Sequence, residues 1–161
     1  EVMGRLVPYV DVLIANEEDA KDVFGIEAAD TDIMGGKLNH EGYVSVARQL
    51  TERFGCKAVA ITLRGSISAS ENNWAGMLYT GGQPFFSRNY LIRLVDRVGG
   101  GDSFGGGLIH ALCKGMDEQS TIEFAVAASC LKQTIEHDFN LVSEKEVLAL
   151  MGGNASGRVQ R

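Results

Sequence analysis

Positive charge is scarce in this sequence. Fifteen lysines and arginines stand against 21 aspartates and glutamates, a net charge of −6. That balance excludes a broad basic surface for nucleic acid, so any anion must be held by a local site. Cysteine is scarce too: Cys56, Cys113 and Cys130 are odd in number, far apart and form no CxxC pair. Neither a disulfide framework nor a zinc site is suggested, and a reducing cytoplasm is the simplest setting. No apolar run reaches the roughly 18 residues of a membrane span, and the first residues do not read as a signal peptide. Internal repeats and low-complexity tracts are absent. No GxxxxGK[ST] loop occurs. A GxGxxG dinucleotide fingerprint also fits poorly, because the glycine cluster lies late in the chain with no βαβ unit after it.

What is present reads as alternating strands and helices. The chain opens on Glu1, and residues 2–10 look like the end of an element already under way, so the sequence is expected to be part of a longer polypeptide. Asp11 to Ala15 is a short apolar run suited to a buried parallel strand. Asn16, followed by Glu17, Glu18 and Asp19, signals a helix start, and Gly25 a C-cap. Residues 27–40 read as a loop. A helix over 41–54 carries Tyr43, Ala47, Leu50 and Phe54 on one face and ends at Gly55. Lys57 to Leu63 is a second buried strand, which implies a parallel crossover from the first. Residues 74–80 and 83–87 are strand-like around a Gly81-Gly82 turn, with Trp74, Phe85 and Phe86 as core, and 89–95 continues extended. Helices are expected to about Lys114, over about 117–135, and from Ser143 to Leu150, the last with a Ser143/Glu146 capping box.

The chemistry concentrates in Asp96-Arg97-Val98-Gly99-Gly100-Gly101-Asp102-Ser103-Phe104-Gly105-Gly106-Gly107. Phe104, Leu108, Ile109 and Leu112 form the apolar stripe of the helix that follows, which places the glycines at its N-terminus. Free N–H groups and the helix dipole favour an anion there, and glycine at 99, 100 and 101 allows close approach. Gly105 to Gly107 in the first turns cost about 1 kcal/mol each relative to alanine, which asks for a reason such as a cofactor or a second backbone. Asp102 is the one ionisable side chain among these glycines, placed to stay ionised and accept a proton. A glycine-rich turn with Asp102 as a mere N-cap is the plainer alternative. Likewise Asn16 to Asp19 fit a capping box, Thr62 to Ser66 a turn after a strand, and Asp138 a solvated loop acid. His110 reads as a packing histidine on its helix.

The segment resembles the second signature of the ribokinase-like (PfkB) family of sugar kinases, whose core reads D-T-x-G-A-G-D. DVLIAN-EED, AITLRGS and VDRVGGGDSFGGGLIHAL, in that order, are similar to the family's C-terminal half across essentially the whole chain. TLRGS, RNYLIRLVDRVGGGDSFGGGLIHAL and HDFNLVS resemble its branch acting on 2-keto-3-deoxygluconate. The resemblance implies an α/β fold with a mainly parallel sheet flanked by helices. Residues 1–161 would be the nucleotide-binding and catalytic part of a single domain that lacks its N-terminal sugar-binding and lid part. It implies ATP-dependent phosphorylation of a sugar acid at a primary hydroxyl. Asp102 would be the base beside the substrate, with an anion hole at Gly99, Gly100 and Gly101 and a sugar-acid contact at Asp138. Asn16 and the Thr62, Leu63, Arg64, Gly65 and Ser66 segment would lie along the nucleotide. Asp19 and Glu18 would orient Mg2+ indirectly, and Asp96 would stand near a monovalent cation, although Arg97 and Val98 depart from the family's usual D-T opening. The partners implied are the sugar acid and ATP, with neither nucleic acid nor membrane. The full-length protein would be a homo-oligomer and the 161-residue piece alone inactive. Fructose, ribose or a nucleoside as acceptor is the first alternative. A nucleotide-binding module without catalysis is the second, and an intact Asp102 argues against it.

Overall fold

A computed structural model describes residues 2–26, 40–68 and 70–153. The expected loop over 27–40 lies outside them except for His40. The described elements run α1 (Val2–Leu6), a 3-10 turn (Val7–Tyr9), β1 (Val12–Ala15), α2 (Glu17–Phe24), α3 (His40–Phe54), β2 (Ala58–Ser66), β3 (Glu71–Thr80), β4 (Gln83–Phe86), β5 (Tyr90–Arg93), α4 (Gly100–Lys114), α5 (Glu118–Lys132) and α6 (Glu144–Met151).

The five strands form one sheet in the order β1-β2-β3-β4, with β5 also paired to β3. The expected α/β sheet flanked by helices is present, but among the described strands it is mixed rather than mainly parallel. β1 and β2 are parallel, whereas β2–β3, β3–β4 and β3–β5 are antiparallel. The physical reason is connection length. Chain from Asn16 to Lys57, with two helices, separates β1 from β2 and suffices for a crossover. The few residues after Ser66 and after Thr80 allow only a reversal. At the second reversal Gly81 and Gly82 have φ of 58° and 79°, the pair of positive values that a two-residue hairpin demands.

Strand alternation divides the core between two faces. Val59, Ile61 and Leu63 of β2 pack with Leu13, Ala47, Leu50 and Met77 under α2 and α3. Ala58 and Ala60 point the other way, with Trp74, Leu78, Phe104, Leu108, Ile122 and Val126 under α4 and α5. The small residues on this second face let the helices approach closely. A Cβ on Gly76 would stand 2.7 Å from Val126 and 3.0 Å from Ile122. Of the expected α4 stripe, Phe104 and Leu108 are buried with Ala111, but Ile109 and Leu112 are exposed. α4 meets the sheet on one side and α5 on another, so its buried stripe is rotated away from those two positions. Phe85 and Phe86 are half-buried rather than core, because β4 is the outer strand.

The caps explain where the helices begin and end. Asn16 and Asp19 form a reciprocal capping box on α2, Gly25 closes it in the left-handed conformation, and Ser143 and Glu146 repeat the box on α6. Such caps are worth about 1 kcal/mol each.

Candidate active site

α4 begins inside the glycine cluster. Gly99 is its N-cap, with φ of 76°, a conformation open to glycine at little cost. Ser103 N–H closes the first turn on Gly99 O at 2.9 Å. Asp102 is therefore the third helical residue and not the N-cap, which corrects the plainer alternative. Gly100 N–H donates to Arg97 O at 3.2 Å. Among the described residues, the amides left without intrahelical acceptors at this helix mouth are those of Gly101 and Asp102. Gly101 has open space on its outer side, with nothing within 4 Å of an added Cβ.

The loop after α5 meets this glycine turn. A Cβ on Gly99 would stand 2.5 Å from Asp138 O and 3.2 Å from Asp138 Oδ1, so a side chain here would drive the two segments apart. Asp102 and Asp138 line one hollow of about 600 Å3 with Ser103, Gly106, His110 and Phe139. Asp96 joins the same two segments from the other side. Its Oδ1 accepts from Val98 N–H and its Oδ2 from His137 N–H, each at 3.0 Å. These two amide bonds, first Val98 and then His137, hold its carboxyl below the ordinary value, with further help from the Lys132 charge. His137 adopts a positive φ of 67°, the strain that brings its N–H round to Asp96.

α5 supports the glycine turn from behind. Ser129 Oγ donates to Gly100 O at 2.8 Å in a buried bond. Gln133 O accepts from Val95 and Asp96 N–H, and its side chain packs on Gly100. Lys132 is fully buried below Gly99. Sequence reasoning missed all three residues. The signal available was a lysine closing an otherwise apolar helical run, TIEFAVAASCLK. His110 stacks on Phe124 with ring centroids 5.0 Å apart, as a packing histidine does, while its Nε2 lies 3.3 Å from Glu144 Oε1 at the wall of the hollow.

The remaining expected residues sit at the carboxyl end of the parallel pair. Register levels Ala15 with Ile61, so Asn16 and Thr62 stand at one height. Thr62 to Ser66 do not turn, as expected from sequence, but continue β2 against Gly76 to Asn72 of β3. Alternation puts Thr62 and Arg64 on the face that α4 covers, and Gly105 of α4 would contact Ile14 at 3.5 Å through an added Cβ. Asn16 and Asp19 are engaged with each other: Asp19 N–H donates to Asn16 Oδ1 at 2.7 Å, and Asn16 N–H to Asp19 Oδ2 at 3.1 Å. Glu18 is exposed. Among the described residues no group of three His, Cys, Asp or Glu side chains converges as a metal site. Glu18 and Asp19 offer carboxylate oxygens, the donor type that Mg2+ takes, usually one or two per ion.

Comparisons with known proteins, in sequence and in structure, point to one family. The family model described as "pfkB family carbohydrate kinase" matches residues 1–136. A solved 2-dehydro-3-deoxygluconokinase from Thermotoga maritima is 49% identical, with a TM-score of 0.87 over 94% of this chain and 44% of that one. A PfkB family carbohydrate kinase from Listeria grayi is 30% identical, with a TM-score of 0.79 over 93% and 43%. The curated 2-dehydro-3-deoxygalactonokinase of Haloferax volcanii is 28% identical over 94% of this chain and 41% of its own length. The chain spans less than half the length of these relatives.

Proposed function

This chain belongs to the pfkB family of carbohydrate kinases, and we propose that it forms the nucleotide-binding and catalytic half of an ATP-dependent sugar-acid kinase acting on 2-keto-3-deoxygluconate. The observation that carries this reading is the hollow at the α4 mouth. Asp102 lines one wall and Asp138 another, beside the helix start where the Gly101 and Asp102 amides lack intrahelical acceptors. An anion donor and a hydroxyl acceptor would meet there.

In the proposed reaction Asp102 takes the proton of the acceptor hydroxyl as its oxygen bonds the γ-phosphorus. The bond from that phosphorus to the β–γ bridging oxygen breaks and ADP leaves. The Gly101 and Asp102 amides, with Gly99 and Gly100 shaping the turn, cradle the charge on the transferring group. Asn16 and the Thr62–Ser66 stretch border the nucleotide from the sheet end. Mg2+ accompanying the nucleotide would supply charge neutralisation, and Asn16, Glu18 and Asp19 are the residues that would help to hold it. Asp138 accepts from a hydroxyl of the sugar acid. Identity to the Thermotoga maritima protein supports the choice of acceptor. The sugar-holding and lid parts are proposed to lie in the portion of the relatives that this chain does not cover. The 161 residues alone would then bind nucleotide and turn nothing over.

The test is Asp102→Asn in the intact kinase. Nucleotide binding should persist while turnover falls by about 10²- to 10⁴-fold. Turnover near the wild-type level would remove Asp102 from its role. A substrate panel settles the acceptor: ketodeoxygluconate should surpass fructose, ribose and adenosine, and a preference for any of the latter moves the reading to another member of the family.

A further inference from the structure

Helix α5 ends on a lysine that water does not reach. Lys132 is fully buried, and its Nζ donates to Ile135 O at 3.2 Å. A buried ammonium is costly unless negative charge and acceptors surround it. The Asp96 carboxylate is tied to the same short loop, accepting from His137 N–H two residues beyond Ile135, and the Lys132 charge is among the lesser influences that lower it. The stem of the lysine passes beneath the glycine turn, where a Cβ on Gly99 would stand 3.1 Å from Lys132 Cε.

A monovalent cation beside Asp96 is what the family resemblance implies, and the residues present do not fit one. Both Asp96 oxygens already accept amide hydrogens. A positive charge is already built into the polypeptide behind them, and a second cation in the same space would be repelled by it.

We infer that Lys132 is a tethered internal cation, which places positive charge behind the α4 amides and makes the enzyme independent of potassium and sodium. This rests on the reading of those amides as the phosphate cradle. A charge fixed by the fold raises the potential at an anion site without being recruited from solution. It also stays in place at any salt concentration, because burial protects it from screening. Lys132 acts here through the glycine turn and touches no reacting atom, so it is a positioning residue.

The experiment compares the intact kinase in KCl, NaCl and tetramethylammonium chloride at equal ionic strength. Wild-type kcat should agree within about twofold across the three, since equal ionic strength gives equal screening. Lys132→Met keeps the stem and removes the charge. It should lose about tenfold or more in kcat and regain part of it in KCl but not in tetramethylammonium chloride, whose cation is too large for the vacated space. Thermal unfolding of the intact kinase gives a second readout. The wild-type midpoint should be indifferent to which cation is present, and the Met variant should gain stability in KCl specifically. A several-fold KCl stimulation of wild type, a potassium-specific rise of its midpoint, or a Met variant as fast as wild type overturns the inference. If the Met variant does not fold, the wild-type comparisons decide it. If no salt supports phosphoryl transfer, the kinase reading fails, and the two midpoints still decide whether Lys132 occupies a cation's place.

Discussion

Ser129 Oγ donates a 2.8 Å hydrogen bond to the carbonyl of Gly100, 29 residues away and out of reach of water. The bond ties the last turn of α5 to the first turn of α4, so the geometry of the open amides depends on a hydroxyl on another helix. Ser129→Ala would leave the Gly100 carbonyl buried without this donor. We expect a loss of about 1–3 kcal/mol of stability, the cost of an unsatisfied buried polar group, together with weaker nucleotide binding. Urea unfolding and ATP titration check the two effects, and a variant unchanged in both would show that the turn holds itself.

The three glycines at 105–107 separate into different roles. An added Cβ at Gly107 would stand 3.1 Å from Ala125 Cα and from Ala128 Cβ, whereas at Gly106 it would meet nothing within 4 Å. Gly107→Ala should therefore destabilise by about 1–3 kcal/mol through forced separation of α4 and α5. Gly106→Ala should stabilise by about 0.5–1 kcal/mol, because helical glycine is costly. Gly106 also lines the hollow. A stabilised Gly106→Ala protein with impaired turnover would identify the missing methyl as room for a ligand. Urea midpoints and steady-state rates distinguish the cases.

Acid should weaken the fold through particular carboxylates. Amide hydrogen bonds hold Asp96 below the ordinary range, the Ser120 amide and hydroxyl do the same for Asp117, and the Ser143 hydroxyl and amide for Glu146. Each binds protons less readily folded than unfolded. Its contribution is complete above the ordinary value and is lost as pH falls through the lowered folded value. The gap in thermal midpoint between wild type and Asp117→Ala should be full at neutral pH and shrink toward about pH 2, below the carboxylate range. An equal gap at both pH values would assign the effect to packing instead of charge.

Thiol reactivity should follow burial. Desolvation pushes Cys130 up to about 12 and raises Cys56 as well, while Cys113 is exposed on α4. At about pH 8 a disulfide reagent should modify one thiol per native chain and three after denaturation, because the thiolate is the reacting form. Cys113→Ser should abolish the native reaction. Rapid modification of Cys130 in the folded protein would mean that α5 opens.

Local signals were readable in the sequence because they act over three or four residues. Asn16 with Asp19, Ser143 with Glu146, Gly25, and the Gly81-Gly82 turn all lie where residue chemistry places them. The glycine-to-Asp102 run was legible for the same reason, since a single helix start positions it. Thr62 to Ser66 misled because Gly65 and Ser66 look like turn residues, yet Asn73 and Asn72 pair with them in register. Ile109 and Leu112 misled because periodicity names a stripe without saying how the helix is rotated against two neighbours. Ser129, Lys132 and Gln133 were invisible because their meaning depends on contacts to residues about thirty positions away in a turn of different character.

One strand carries most of the sheet. β3 pairs with β2 along one side, and along the other with β5 at residues 71–74 and with β4 at residues 77–80. Ser87 bridges the gap between them by bonding Gly76 through both its amide and its hydroxyl. β1, by contrast, is held on one side by β2 among the described strands. Read in time rather than in space, this is a hierarchy of opening. The amides in the middle of β3 can be released to solvent only when two neighbours leave together, so their deuterium exchange tracks global unfolding. Those of β1 need a single separation, so among the described strands the end of the sheet that carries Asn16 opens more readily than β3.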